Sequence, residues 1–505
     1  MGVIIRQSIK GTVVNYVGVV IGFFTTFFVA TRFLSAEEIG LTRVLLDAAM
    51  LLSNLAQLGT SSSIIRFYPY FKDEEKEDHG FFFWTLLIPL LGFLLFSLLF
   101  YFLHDFVGAA FSEKSDLFVT YYKCIFPLGF ALLYMTVFES NANVLMRIVV
   151  PKFVREVLVR LLTLLAYLLY AFHVVDLDGF IIAFCGVYLA ALLVDVIYLL
   201  SLKHVSFKPD CSFLTPALVR NYLFYTLFLV TATLSNVLAP FVNSFFISAK
   251  MGLTYTGIFA IASYITALIE IPYRSLGAIA QPQLSRAIKE NQIVEANALC
   301  RNISFHQLLA GAFIFLLIWM NLDFMFKILP NGEQYATAKW VVFILAISKL
   351  FVSVCSIGVS VLNYSRFYYY SLIFSAFYTI ISIVFNNSFI PLWGMNGAAL
   401  ATLLSSVLYY AALLGLNYLK IKTCPFSSRQ LQVLGLLLCF GLVDFILEYF
   451  TSQILPKTVF WGFVEAIFRT GIVSLLAVII IYRLKFSEEL NTLIDYIIMK
   501  LRRNK

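Results

Sequence analysis

Stretches of about 20 mostly apolar residues recur along the whole chain, and that recurrence limits its fold more than any other feature. A helix needs about that length to cross about 30 Å of hydrocarbon at 1.5 Å per residue. Such windows fall near 12–33, 38–62, 80–103, 118–145, 154–172, 179–202, 217–248, 254–282, 302–325, 336–362, 366–390, 396–418, 430–450 and 461–483. That is about fourteen spans. An open strand edge would leave backbone groups unsatisfied in lipid, so the spans must be helices. The expected fold class is an all-α membrane protein. Composition agrees, since 61% of the 505 residues are hydrophobic and only 13% charged. Soluble domains run about 45–50% apolar and about 25% charged. A large soluble enzyme is excluded.

Other whole-chain signals point the same way. The seven cysteines are scattered, with no C-x-x-C pair or metal-ligand spacing, and read as small apolar helix residues. The net charge of +8 comes from basic residues that punctuate apolar segments, with no solvated arm or patch, so no nucleic-acid partner is expected. The first apolar run follows Arg6 and Lys10, lacks a small-residue cleavage site, and reads as a span instead of a signal peptide. With the N-terminus in the cytoplasm, alternate loops place about 24 of the 36 Lys and Arg residues inside and about 6 outside. Both termini are therefore expected in the cytoplasm. The run Lys72-Asp73-Glu74-Glu75-Lys76-Glu77-Asp78 reads as a solvated turn, and the tail after Tyr482 as an amphipathic basic helix lying on the membrane.

The two halves echo each other at one offset. Gly40 in EEIGL matches Gly257 in TYTGI, Leu145 in NVLM matches Leu362 in SVLN, and Lys203 matches Lys420, each about 217 residues apart. Six helices, an even number, fit within the offset, so the halves should insert the same way up, as parallel repeats. The expected organisation is an N-terminal lobe at 1–215 and a C-terminal lobe at 216–422. Two further helices follow at 423–485, then a cytoplasmic tail at 486–505. Two lobes about a cleft form a transporter architecture.

RFLSAEEIGL after the first span carries a family resemblance, together with QLGTSSSIIRFYPYF and GLTYTGIFAIASYITALIEIPYRSLGAIAQPQLSRAIKEN. Over roughly residues 5–420 the chain resembles the multidrug/oligosaccharidyl-lipid/polysaccharide exporter superfamily, and best its polysaccharide-biosynthesis, Wzx-like flippase branch. The resemblance implies a flippase that moves a lipid-linked oligosaccharide outward across a bacterial cytoplasmic membrane. Membrane lipid would surround it, and a polysaccharide polymerase or glycosyltransferases would be partners. Such flippases use a cationic central cavity, and the positions here that match are Arg43, Arg274 and Lys349, with Arg32 and Arg66 at the mouths of the first lobe.

Chemistry supports that reading of the charges. An ionisable group at mid-bilayer costs roughly 2.5–3.5 kcal/mol on insertion scales, and those inside the windows include Arg43, Asp47, Lys123, Glu139, Arg160, Asp195, Glu270, Arg274, Lys349, Asp444, Glu448, Glu465 and Arg469. Arg43 with Asp47, Glu270 with Arg274, and Glu465 with Arg469 are each four apart and share a helix face. Each pair either lets its helix insert or serves a headgroup. For the last pair, outside the repeats, the structural role is preferred. An ionised diphosphate costs tens of kcal/mol to move through hydrocarbon, and arginine forks grip phosphate oxygens in pairs. Asn15, Asn54, Gln57, Asn236 and Asn243 add polar groups at helical depth, and Gly18-x-x-x-Gly22 and Pro240 mark packing or bending points in helices 1 and 7.

No nucleotide or zinc motif is present, so no cofactor is expected and ATP is not the driving force. An inside-negative potential favours outward anion movement by about 2.3 kcal/mol per charge per 100 mV, with Na⁺ or H⁺ coupling at Asp47 or Glu270 as a further source. The alternative is a cation-coupled multidrug exporter of the same superfamily. A membrane glycosyltransferase or polymerase would need a large outer loop with catalytic acids, and the loops here are too short.

Overall fold

The structure is a computed structural model describing residues 14, 17–73, 77–202, 208, 210, 213–222, 224–226, 238–454, 456, 458–483, 491 and 495, without the side chains of 77, 274–280 and 452. Helices dominate, and no strand occurs among the described residues. The principal ones are α1 (Val17–Phe33), α2 (Ala36–Ala56), α3 (Thr60–Phe71), α4 (Phe81–Phe102), α5 (Ile125–Val144), α6 (Val159–Ala171) and α7 (Leu177–Ser201). There follow α8 (Val242–Lys250), α9 (Leu253–Ala267), α10 (Glu270–Lys289), α11 (Ile293–Ile328), α12 (Lys339–Cys355) and α13 (Ile357–Tyr364). Last come α14 (Tyr370–Leu416), α15 (Ser428–Ile454) and α16 (Val459–Arg483). Asn15, Asn236 and the tail, apart from Asn491 and Asp495, lie outside the described residues.

Local chemistry sets the helix ends. Ser35 caps α2 in a reciprocal box: its hydroxyl accepts from Glu38 N at 3.2 Å while its own N–H donates to Glu38 Oε2 at 2.7 Å. The helix stops where Leu58 (φ 48°) and Gly59 (φ 70°) turn left-handed. Pro272 has no N–H to return to the Leu268 carbonyl, and α9 and α10 part at Leu268–Ile269. The windows 366–390 and 396–418 correspond to the two helical segments of α14, which meet at a non-helical kink at Gly394 (φ 57°, ψ −135°). Among the described residues, three π-turns, at Thr25–Ala30, Val154–Leu158 and Asn417–Ile421, interrupt the regular helices, a departure common at functional positions.

Two compact units are present. The first comprises Met1–Tyr264, Leu329–Leu345 and Phe367–Leu413. At its core, α2 packs against α4 and α5, and Leu41, Val44, Leu45, Ala49 and Leu52 are fully buried. Leu94, Leu95 and Leu98 of α4 are 58%, 61% and 54% exposed. A leucine stripe this open belongs against acyl chains, because soluble monomers rarely expose such patches. The second unit comprises Ile265–Ile328, Ala346–Arg366 and Leu414–Lys505. There α11 packs against α10, α15 and α16, around Leu316, Met320, Phe440, Val473 and Ala477. The protein is a multi-pass membrane protein.

Within the first unit, α2 and α9 cross in backbone contact. A Cβ on Gly40 would collide with the Leu253 carbonyl and lie 3.0 Å from Gly257 N. A Cβ on Gly257 would collide with the Ala36 carbonyl and lie 3.0 Å from Gly40 N. The contact is reciprocal, and its partners stand at the same 217-residue offset seen in the sequence. Gly40→Val should force the helices apart at a cost of about 1–3 kcal/mol, read as a lowered melting temperature of the purified protein. Gly415→Val, at an open position, should leave it unchanged.

Candidate functional site

Arg43 and Asp47 follow Gly40 on α2 at i+3 and i+7, and so continue the face that meets α9. Arg43 Nε donates to Asp47 Oδ2 at 2.9 Å, which realises the ion pair expected from their spacing. The two ends of the pair differ in access: the Asp47 side chain is 1% exposed and that of Arg43 29%. Asp47 also faces the Ser244 hydroxyl of α8. The Arg43 guanidinium lies 5.9 Å from the ring centroid of Tyr264 on α9, a cation–π distance. Tyr167 of α6 and Tyr188 of α7 stand near Tyr264. Nε is committed to Asp47 and the guanidinium is also hydrogen-bonded to the Tyr264 hydroxyl, so a phosphate or carboxylate would share the terminal fork with that hydroxyl.

Arg160 of α6 adds a second guanidinium nearby, also interacting with Tyr188. Its Nη2 donates to Glu156 Oε2 at 3.1 Å and its Nη1 to the Gly18 carbonyl. A Cβ on Gly22 would run into the Arg160 guanidinium, and one on Gly18 into the Glu156 backbone. The G-x-x-x-G of α1 therefore makes room for the turn Glu156–Arg160. Asn243 Nδ2 donates to Thr402 Oγ1 at 2.8 Å, and Gln57 Nε2 to Ser61 Oγ at 2.6 Å.

The other carried-over cations sit differently. Arg32 is exposed, 5.7 Å from the Phe33 ring. Arg66 is exposed and lies 4.1 Å over Tyr225, beside a Phe67–Tyr222 contact of 5.1 Å. In the second unit, Lys349 of α12 donates to Glu270 Oε1 at the start of α10. Lys349 is 79 positions from Glu270 in sequence; the side chain of Arg274, which stands one helical turn from Glu270, lies outside the described ones. Arg469 is held by Asp444 through two bonds of 2.8 Å, with Glu448 at 3.2 Å and Glu465 at 3.6 Å.

Sequence reasoning did not assign Tyr264, Tyr167 and Tyr188 to the Arg43 site. For Tyr264 a signal existed, since it lies seven residues beyond Gly257 and so shares its face. Among the described residues no group of three His, Cys, Asp or Glu is placed to hold a metal ion.

Solved structures share the fold of this chain. Lipid II flippase MurJ, in an inward closed conformation, is 14% identical, with 95% of this chain and 100% of that chain covered and a TM-score of 0.75. An inward-facing multidrug resistance MATE family transporter of the MOP superfamily is 16% identical over 83% of this chain and 98% of its own, with a TM-score of 0.62. A MOP superfamily transporter from Pyrococcus furiosus Vc1 is 14% identical over 83% and 96%, with a TM-score of 0.52. At these identities the likeness establishes the fold. No curated protein sequence matches the chain. A profile of polysaccharide biosynthesis proteins matches residues 6–288, more than half of the chain, and the resemblance read from the sequence is borne out. The chain shares the fold of MurJ and the MATE proteins, and it belongs to the polysaccharide biosynthesis protein family.

Proposed function

We propose that the protein flips a lipid-linked oligosaccharide, a polyprenyl-diphosphate glycan, from the cytoplasmic to the outer leaflet by alternating access. It would serve O-antigen, capsule or exopolysaccharide synthesis in a bacterial cytoplasmic membrane, with both termini inside. The observation that carries this reading is Arg43, a partly accessible guanidinium within a membrane span whose single carboxylate partner occupies only Nε. A diphosphate brings oxyanions that can compete with the Tyr264 hydroxyl for the guanidinium's terminal nitrogens. Lys349, Arg274, Arg32 and Arg66 are proposed to meet the same headgroup along its path.

Asp47 and Glu270 then act as placeholders. Each neutralises a cation in the empty protein, and each must yield when phosphate binds. A proton or Na⁺ arriving on either carboxylate would release its cation, which would couple ion binding to headgroup capture. Outward movement of the anion is also favoured by an inside-negative potential, by about 2.3 kcal/mol per charge per 100 mV.

Asp47 beside a cluster of tyrosines also suits a cationic drug, the reading of a cation-coupled multidrug exporter. Vesicles containing the purified protein and a fluorescent polyprenyl-diphosphate sugar separate the two. Rapid loss of the lipid's protection from a membrane-impermeant quencher is expected. An unchanged protected fraction, together with uptake of a cationic dye, would favour the exporter.

A further inference from the structure

His79 is a buried histidine held between two carboxylates and an aromatic ring. It is 7% exposed, its Nδ1 lies 2.9 Å from Asp210 Oδ2, and its Nε2 lies 3.5 Å from Asp73 Oδ2. The Phe213 ring stacks on the imidazole at 3.9 Å, with 13° between the planes. An ionised carboxylate only accepts hydrogen bonds, and a neutral imidazole carries one N–H. Both contacts are therefore satisfied together only by the doubly protonated, positively charged ring. Of the other charged groups close by, Asp78 accepts from Asp73 N at 2.9 Å and from the Tyr68 hydroxyl at 3.3 Å, while Lys72 and Lys208 are exposed.

Two stretches far apart in sequence meet at this ring. Asp73 and His79 belong to the turn between α3 and α4, where Asp78 (φ 52°), His79 (φ 51°) and Gly80 (φ 67°) are left-handed. Asp210 and Phe213 lie beyond the end of α7 at Ser201, on the side to which the charge bias assigns the cytoplasm. From there the chain runs as a strap along α3. Phe213 packs on Phe71 at 5.0 Å, and Thr215 Oγ1 accepts from Leu218 N at 3.3 Å as helical residues 216–222 begin. Tyr222 packs on Phe67 at 5.1 Å and Tyr225 at 5.7 Å, and Tyr225 also lies 4.1 Å from the Arg66 guanidinium. The strap thus covers one face of Arg66, a cation assigned above to the headgroup path. Its ring contacts do not respond to pH, whereas histidine ordinarily changes charge between about pH 5 and 8.

We propose that His79 is a proton-operated latch: its charged ring pins the strap Asp210–Tyr225 over Arg66, and loss of a proton to water releases it. Once one N–H is gone, a nitrogen lone pair faces a carboxylate and the contact turns repulsive. Docking is therefore strongest at low pH and weakens as pH rises, and Arg66 opens to an anionic headgroup. The proton stays on one face of the membrane and sets access only. The effect on headgroup loading rests on the flipping reading, but the latch itself does not.

The test uses full-length protein in lipid nanodiscs, without substrate. Deuterium uptake over residues 213–222, corrected for the intrinsic pH dependence of exchange, is expected to rise about tenfold between about pH 6 and about pH 8.5. His79→Asn, a residue that tolerates the left-handed backbone, should give fast uptake at both pH values. Asp73→Asn/Asp210→Asn should lose the step, because an amide offers both a donor and an acceptor and suits the ring in either state. Melting curves verify that the variants fold. In vesicles with equal pH on both sides, flipping of the lipid-linked sugar should quicken with pH in the wild type and be fast and flat in His79→Asn. Equal uptake at the two pH values in the wild type, or a step that persists in His79→Asn, would overturn the latch. A loosened strap in His79→Asn with the wild-type pH profile of flipping would overturn its control of loading. A pH-dependent strap in protein that flips nothing at any pH would overturn the transport reading and leave the latch standing.

Discussion

Arg43→Ala is expected to abolish flipping, and the same change should weaken the protein for a separate reason. Losing a charge-assisted contact with the headgroup costs about 2–5 kcal/mol when the partner is buried and unpaired, which corresponds to roughly 30-fold to several thousand-fold in rate or affinity. Asp47, 1% exposed and bonded to Arg43 at 2.9 Å, would at the same time become an uncompensated buried charge, a loss of about 3–5 kcal/mol of stability. Comparison with the double variant Arg43→Ala/Asp47→Ala separates the effects. Removing both charges should return much of the stability, since a buried pair is often dispensable when replaced whole. Transport should stay absent. Arg43→Lys should retain the ion pair but lose the fork, leaving an intermediate rate. Membrane abundance, melting temperature and vesicle flipping measured on the four proteins would decide the matter. Normal flipping in the double variant would remove Arg43 from the headgroup path.

The parts of this structure legible in the sequence are those set by local rules. Helical spans follow from apolar length, the start of α2 from Ser35 and Glu38, and the Arg43–Asp47 pair from a four-residue spacing. Gly40 and Gly257 were visible as matched positions because glycine is needed where two backbones touch. What escaped depends on which helices become neighbours. Glu270 bonds Lys349 of α12, whose proximity no local pattern encodes. The same holds for Glu139, Arg155 and Asp195, which come from α5, a π-turn and α7. Glu139 and Asp195 stood out as intramembrane charges and Arg155 did not; only packing brings the three into one electrostatic group. The room that Gly22 leaves for Arg160, and Gly18 for the Glu156 backbone, is another through-space fact. Spacing showed that something packs closely there and could not say what.

The second large effect belongs to the last helical pair. Arg469→Leu is expected to destabilise the second unit by about 3–5 kcal/mol, enough to deplete the protein from the membrane. Arg469 is buried on α16, and its guanidinium holds Asp444 through two bonds of 2.8 Å, with Glu448 at 3.2 Å and Glu465 at 3.6 Å. Removing it leaves three carboxylates facing one another across α15 and α16. One of them, Asp444, is 6% exposed and cannot recover its hydration. The neighbouring Asn321–Thr470 bond of 2.9 Å ties α16 to α11, so splaying of the pair would also strain that junction. If the role is structural, an apolar replacement of the buried partners should rescue it. Arg469→Leu/Asp444→Leu should recover abundance, with Glu448 and Glu465 left near the more open side at 49% and 22% side-chain exposure. Flipping per molecule should then match wild type, because no step assigned to the headgroup uses this cluster. A rescued protein that is abundant yet inactive would mean that the cluster belongs to the transport path.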